Sequence, residues 1–568
     1  MRKSAWVYGL LVITAGFADV AASGKNHSSA REPSLPAAVK KVQAGELADA
    51  AKMLESITER EPGNADAWRL LGVVRLKKKE IEGAGAAFDR SLAAAPDSPK
   101  AMYGKAQALA LGPNKDQALE WLEKAKAHRM DMTGIEVDAN LSSLKADPRF
   151  AKLLPRPEEF QNPFVEPVKV IREWDGEAAN DQFGWIARNI GDVDGDGIND
   201  FVTSAPTSSA GGESAGRVYV YSTRTGKLIW RADGQKGDEL GTGVECAGDV
   251  NRDGVPDVIA GAPAGGKAYV YSGKDGKVLL TLAAEEKSDD FGRHASGAGD
   301  VDGDGYADVI VGAPGNNAGG KGAGRAYVYS GRDGHRLLTL TGERAGDAFG
   351  STVAGYSDGK HRYLIVGAPG AGPRKSGRTY VYSELSSKPA FVIDSDASGS
   401  ALGMMFVSVI GDVDGDGIPD IYASDWSNDA KGPSTGRIYV HSGKDGRRLL
   451  TLTGETAGEG FGIGPATAGD VDGDGFADLI VGSWQYGKAA ISGGRAYLYS
   501  GRDGHLLKTY TCRVPGDTFG FDAVGMGDVD GDGTIDFLIT SAWSGVRGYR
   551  SGRVFIVSSG IERTLGAH

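Results

Sequence analysis

Residues Gly191 to Asp200 read GDVDGDGIND, and close copies recur as DVNRDGVPD from Asp249, DVDGDGYAD from Asp300, DVDGDGIPD from Asp412, DVDGDGFAD from Asp470 and DVDGDGTID from Asp528. Each follows D-x-[DN]-x-D-G-x-x-D. Oxygen-bearing side chains fall at positions 1, 3, 5 and 9: Asp192, Asp194, Asp196 and Asp200; Asp249, Asn251, Asp253 and Asp257; Asp300, Asp302, Asp304 and Asp308; Asp412, Asp414, Asp416 and Asp420; Asp470, Asp472, Asp474 and Asp478; Asp528, Asp530, Asp532 and Asp536. Carboxylates so close in a short loop repel one another unless a cation sits among them, and an all-oxygen set points to calcium. Glycine at position 6 permits a sharp turn that aims the position-7 carbonyl of Ile198, Val255, Tyr306, Ile418, Phe476 or Thr534 at the ion. An EF-hand would carry glutamate at position 12 and a helix beyond it. Position 12 here is Thr203, Ala260, Val311, Ala423, Val481 or Ile539, and the following residues are strand-like. The loops are therefore expected to join strands around six calcium ions. One copy alone could be a metal-free acidic turn; six in register argue against that.

A second repeat owes nothing to acids. Strands begin at Gly216 (GRVYVYS), Gly266 (GKAYVYS), Gly324 (GRAYVYS), Gly377 (GRTYVYS), Gly436 (GRIYVHS), Gly494 (GRAYLYS) and Gly552 (GRVFIVS), at spacings of 50, 58, 53, 59, 58 and 58 residues. Four of them run into Asp-Gly turns, at Asp275, Asp333, Asp445 and Asp503, the hairpin signal before a further strand. Each unit thus reads as four strands, the pattern of a β-propeller blade, and seven units predict seven blades. The fourth unit, GYSDGKHRYL from Gly355, lacks most of the acids, so no metal is expected there. The last unit stops after its third strand, whereas an orphan strand, Val168 to Trp174, precedes the first. That strand is expected to complete the seventh blade and close the ring.

Phe-Gly pairs open five units, at Phe183, Phe291, Phe349, Phe461 and Phe519, with Leu240-Gly241 and Leu402-Gly403 in the other two. Together with the acidic loops and the Gly-Ala-Pro strand ends, they resemble the FG-GAP repeats of integrin α-subunit propellers and their bacterial relatives. The resemblance covers about residues 165 to 560. It implies a calcium-stabilised, non-catalytic propeller used in adhesion or ligand recognition, with the calcium loops on one face and the strand 2–3 loops on the other. On that other face Trp426, Trp484 and Trp543 replace the proline of units one to four, with Tyr486 and Tyr549 close by. Two readings stand: an aromatic platform for a sugar or a protein, or indoles packed down between blades.

Residues 35–154 change to Ala, Leu, Lys and Glu in helical periodicity. A period of 34 links Pro62 to Pro96, enclosing Trp68, Leu71, Gly72, Ala84 and Phe88. These positions resemble the tetratricopeptide repeat, whose resemblance implies a groove for a peptide or partner protein. The copies on either side are weaker, keeping Ala50 and Leu54 before it and Ala118, Leu122 and Ala125 after it. The other reading of the region is a short helical spacer.

The remaining segments bound the chain's context. Residues 1–22 read as a secretory signal: Arg2 and Lys3, an apolar run from Ala5 to Phe17, then small residues. That run is too short to span a bilayer, and the expected location is secreted, periplasmic or cell-surface. A polar linker (23–34), a Pro-rich linker (155–164) and a tail (561–568) complete the division, with the propeller at 165–560. The formal charge of −12 argues against a nucleic-acid partner, and six divalent ions would offset it. The two cysteines, Cys246 and Cys512, provide no disulfide framework.

Catalytic motifs are not convincing. Gly212 to Gly216 match G-x-S-x-G, but a nucleophile elbow sits between strand and helix, and this stretch enters a strand. His294, His335, His361, His441 and His505 fall in different units. The reading is an exported, multidomain, calcium-binding protein that recognises a protein or glycan ligand, with no catalytic residues. The alternatives are a propeller-based hydrolase or lyase acting on glycan or lipid, and a periplasmic assembly scaffold using the helical region.

Overall fold

A computed structural model describes residues 33–562 apart from Ser400. The expected signal segment lies outside the described residues. The chain divides into two compact units: a mainly helical one up to Pro163, with which Ala490–Ser492 and Val514–Gly516 also group, and an all-β one made of the rest from Phe164 onward.

Three antiparallel helix pairs build the helical unit: α1 (Leu35–Gln43) with α2 (Leu47–Arg60), α3 (Ala65–Lys77) with α4 (Ile81–Ala94), and α5 (Pro99–Ala110) with α6 (Lys115–Ala127). Their starts are written locally. Asn64 and Ser98 accept from the amides of Ala67 and Ala101 at 3.0 and 3.4 Å, and so cap α3 and α5. Phe88 on α4, fully buried, explains the small residues facing it. A Cβ on Gly72 or Gly104 would lie 2.7 or 2.3 Å from its ring. The apolar positions of the weaker flanking copies, Ala50, Leu54, Ala118, Leu122 and Ala125, are all fully buried. Among the described residues no helix is long and apolar enough to cross a membrane.

The β unit is seven four-stranded antiparallel sheets, six of which take their strands in chain order. Blade 1, for example, is Ala187–Gly191, Asp200–Ala205, Arg217–Tyr221 and Leu228–Asp233. The second strand of each blade is buried along nearly its whole length, as its run of Val, Ile, Ala and Gly requires. Outer strands are mostly only part-buried, with Leu228 and Leu506 exposed.

The seventh sheet departs from chain order. Its outer strand is Val170–Asp175, paired with Arg553–Ser558 in the register Val170 to Val557 and Asp175 to Arg553. The orphan strand thus supplies the fourth strand of the last blade and closes the ring. Neighbouring blades meet where the two sequence signatures touch. Gly324 bridges Phe349 of the next blade in parallel fashion, and a Cβ there would sit 2.1 Å from the Phe349 carbonyl oxygen. Glycine at the head of G-R-x-Y-V-Y-S is therefore a demand of the joint, not of the strand.

Candidate metal loops and the central channel

Each acidic loop is the turn between the first and second strands of a blade. In blade 1 the amides of Gly195 and Asp196 donate to Asp192 Oδ1 at 2.7 and 3.1 Å, and that of Gly197 donates to Oδ2 at 2.8 Å. Asp196 Oδ1 accepts from the Ile198 amide at 2.9 Å. The same bonds recur around Asp300, Asp412 and Asp528. Position-6 glycines adopt φ between 79° and 90°, the left-handed region, and a Cβ would clash with nothing at Gly197. Glycine is needed there for its backbone.

Position 9 does a different job. The carboxylate is buried and joins the loop to the rest of its blade. Asp200 Oδ2 accepts from the Val193 amide at 3.0 Å, and its Oδ1 from the Thr223 amide beyond the third strand, also at 3.0 Å. Asp257, Asp308, Asp420 and Asp478 repeat both bonds. Burial pushes the carboxyls of Asp200, Asp257, Asp308 and Asp478 up to about 6, and those of Asp420 and Asp536 up to about 7. Asp536 lacks the second bond. Its Oδ1, the oxygen that accepts this bond in the other loops, is buried without a hydrogen-bond partner.

Five loops bring three carboxylate oxygens within 4.8 Å of one another: Asp192, Asp194 and Asp200; Asp300, Asp302 and Asp304; Asp412, Asp414 and Asp420; Asp470, Asp472 and Asp474; Asp528, Asp530 and Asp536. In the second loop the Asn251 amide nitrogen lies 3.2 Å from Asp253 Oδ2, so an amide partner replaces one acid. Such oxygen clusters fit a hard divalent cation. In blade 4 the corresponding turn is short, and Asp358 Oδ1 accepts from the amides of Lys360 and His361 at 2.8 and 2.6 Å.

The tryptophans require a correction to the platform reading. Trp426, Trp484 and Trp543 are buried, at 7, 1 and 6% exposure, and Tyr486 is at 3%. Their rings face one another: Trp484 meets Trp426 edge to face at 6.3 Å, Trp543 at 4.8 Å and Phe521 at 5.3 Å. Apolar area of this size gains more by packing than by facing water, so the alternative of indoles turned down between blades describes their positions. Tyr486 lies under the Arg495 guanidinium at 3.8 Å, and Tyr549, partly exposed, is 4.9 Å from Arg550.

Two groups escaped the sequence reading. The first strands line a central channel of about 620 Å³, and Arg188, buried within it, pairs with Glu245 at 2.7 Å and with fully buried Asp522. His294 also lines the channel, and burial drives its imidazole down to about 3. These residues come singly from different blades, so no periodic signal marks them. The second group was legible. An acid stands two residues before six of the seven blade openings, at Asp181, Asp238, Asp289, Asp347, Glu459 and Asp517, and Ser400 takes that place in the fifth. Five of the six fold back on their own loop, as Asp181 does on the Ala178 amide at 3.1 Å and Asp347 on the Arg344 amide at 2.9 Å. Extending the Phe-Gly pattern upstream by two positions would have found them.

An FG-GAP repeat model matches residues 183–221, 244–280 and 291–329, and an FG-GAP-like repeat model matches 412–481. A tetratricopeptide repeat model matches 35–99 and 86–132. Similar proteins include integrin alpha-4 of Xenopus laevis, 28% identical over 256 residues, covering 41% of this chain and 23% of the relative. Integrin alpha-2 of Bos taurus is 31% identical over 259 residues (40% and 22%), and human integrin alpha-IIb 36% over 163 (25% and 15%). The matched part thus spans less than a quarter of each of these three relatives. The chain carries tetratricopeptide repeats followed by an integrin alpha-like FG-GAP propeller of seven blades.

Proposed function

We propose that this protein is an exported, calcium-stabilised recognition module that binds a protein or glycan ligand and performs no catalysis. The observation that carries it is the convergence of three carboxylate oxygens within 4.8 Å in five separate loops, each at the same turn of its blade. Calcium would supply the positive charge that lets these acids crowd together, and its binding energy would add to folding. The chain's own part is to hold the carboxylates in place. Positions 1 and 3 face the cluster in all five loops, joined by position 9 in three of them and by position 5 in two, and the position-7 carbonyl would add a further oxygen. Asn251 makes the second loop less acidic and so weaker.

Support for recognition comes from the integrin alpha-like propeller, and the tetratricopeptide repeats provide a second surface for a peptide or protein partner. Neither surface requires nucleic acid, which the acidic charge disfavours. The test is a glycan and protein array probed with the full chain in calcium and in chelator. Binding that needs calcium supports the reading. Hydrolysis of a bound glycan or lipid would replace it with the enzyme alternative.

A further inference from the structure

The segment that closes the ring carries a cation into the seventh loop. Lys169 Nζ lies 2.6 Å from Asp530 Oδ2 and 2.8 Å from Asp532 Oδ2. Asp530 also belongs to the oxygen cluster with Asp528 and Asp536. The backbone around Lys169 is fixed on both sides. Its carbonyl accepts from the Ser558 amide at 3.0 Å, and Val170 begins the pairing with the seventh blade. Just upstream, the Glu166 carboxylate accepts from the Thr511 amide at 2.7 Å and from the Thr509 hydroxyl at 2.9 Å on the sixth blade's outer strand.

Other loops differ in where their cations come from. Arg224 reaches Asp196 at 3.3 Å and Arg447 reaches Asp414 at 2.6 Å, each from a turn of the same blade. Among the described residues no lysine or arginine comes within 4.0 Å of the third loop's carboxylates. Lys169 is 363 positions from Asp532, and it is the residue at which the chain enters the closing strand.

We propose that Lys169 is a built-in competitor for the cation of the seventh loop, so that metal there and the ion pair seating the closing segment exclude one another. This rests on the metal reading given above. A divalent ion held by Asp530 would stand within a few ångströms of the ammonium, and like charges at that separation repel. The lysine side chain is 55% exposed and can turn to solvent. Linkage makes the effect reciprocal: whatever the lysine costs the metal, the metal costs the lysine contact.

The experiment uses the full chain, stripped with chelator and titrated with calcium by calorimetry, comparing wild type with Lys169→Gln. One site is expected to tighten about three- to tenfold, given two exposed ion pairs, while the others keep their affinities. In chelator the variant should melt below wild type; in saturating calcium the two should coincide. In a background carrying Asp530→Asn and Asp532→Asn, which removes the lysine's partners, Lys169→Gln should no longer shift the melting temperature in chelator. Unchanged affinities, an equal loss of stability with and without calcium, or a shift that survives the Asn pair would each overturn the proposal. A wild-type chain that takes up no calcium at all would instead overturn the metal reading, and this inference with it.

Discussion

Blades 3 and 4 are neighbours with the same four-stranded plan and different first turns. In blade 3 the strands Ala295–Gly299 and Asp308–Ala313 are joined by residues 300–307, with a register shift between Gly297 and Gly299. In blade 4 residues 358–361 join Val353–Ser357 to Arg362–Ala368, and the register runs without a shift from Val353 to Ser357. A blade therefore needs neither the long loop nor its acids in order to form. One aspartate, Asp358, closes the shorter turn. The four acids of the longer one all accept backbone amides, and three of them also bring their oxygens together in a cluster that could hold a cation.

The comparison breaks most visibly under chelation. A ligand at a hundred times its Kd stabilises by about 2.7 kcal/mol per site, so emptying several loops at once is expected to lower the melting temperature more than any substitution below. A thermal melt with and without chelator reads this, and identical curves would remove the distinction between the two blades. Next in size, Asp302→Asn with Asp304→Asn in blade 3 should cost about 2 to 3 kcal/mol in calcium and much less in chelator, measured by denaturant unfolding. Asp358→Ala in blade 4 should cost about 1 kcal/mol, as loss of a turn-capping side chain does, and by the same amount in both conditions. If calcium changed that figure, blade 4 would be a metal blade after all.

The smallest effect concerns a joint that no metal touches. Burial pushes the Glu459 carboxyl up to about 7, although it accepts from the Glu455 amide at 2.6 Å. Its folded pKa lies above the unfolded one, so the stability it contributes is complete at pH below about 4.5 and is lost as pH rises through about 7. Glu459→Gln is expected to flatten that slope by on the order of 1 kcal/mol, read from melting temperatures across the same pH range in constant calcium. An unchanged slope would show that the loop is held by other bonds.

Much of this architecture is legible in the chain because it is written repeatedly. The blade count followed from seven strand copies, and ring closure from a missing strand at one end and a surplus one at the other. Val170–Asp175 then appeared where that arithmetic required it. The tryptophans were harder, because a strand 2–3 loop position says which face a residue starts from and not which way its ring turns. Trp484 turns inward onto Trp543 and Phe521, which belong to another blade. Arg188, Glu245 and Asp522 were not legible at all. They meet only because the ring brings three distant strands to one axis, and a repeat pattern hides residues that occur once. Lys169 was hidden for a related reason: its partners are 363 positions away from it or nearly so.

The closing pair has a mechanical side. Val170–Asp175 and Arg553–Ser558 run antiparallel, and the residues leading into the first and out of the second lie at the same end of the pair, beside Val170 and Val557. Tension applied between the segment before Lys169 and the one after Ser558 would load the pair as a peeled seam, one hydrogen bond at a time, and not as a sheared lap joint. Under load the ring should yield first at this seam, beginning beside Lys169, while the six sheets made from unbroken chain keep their shape.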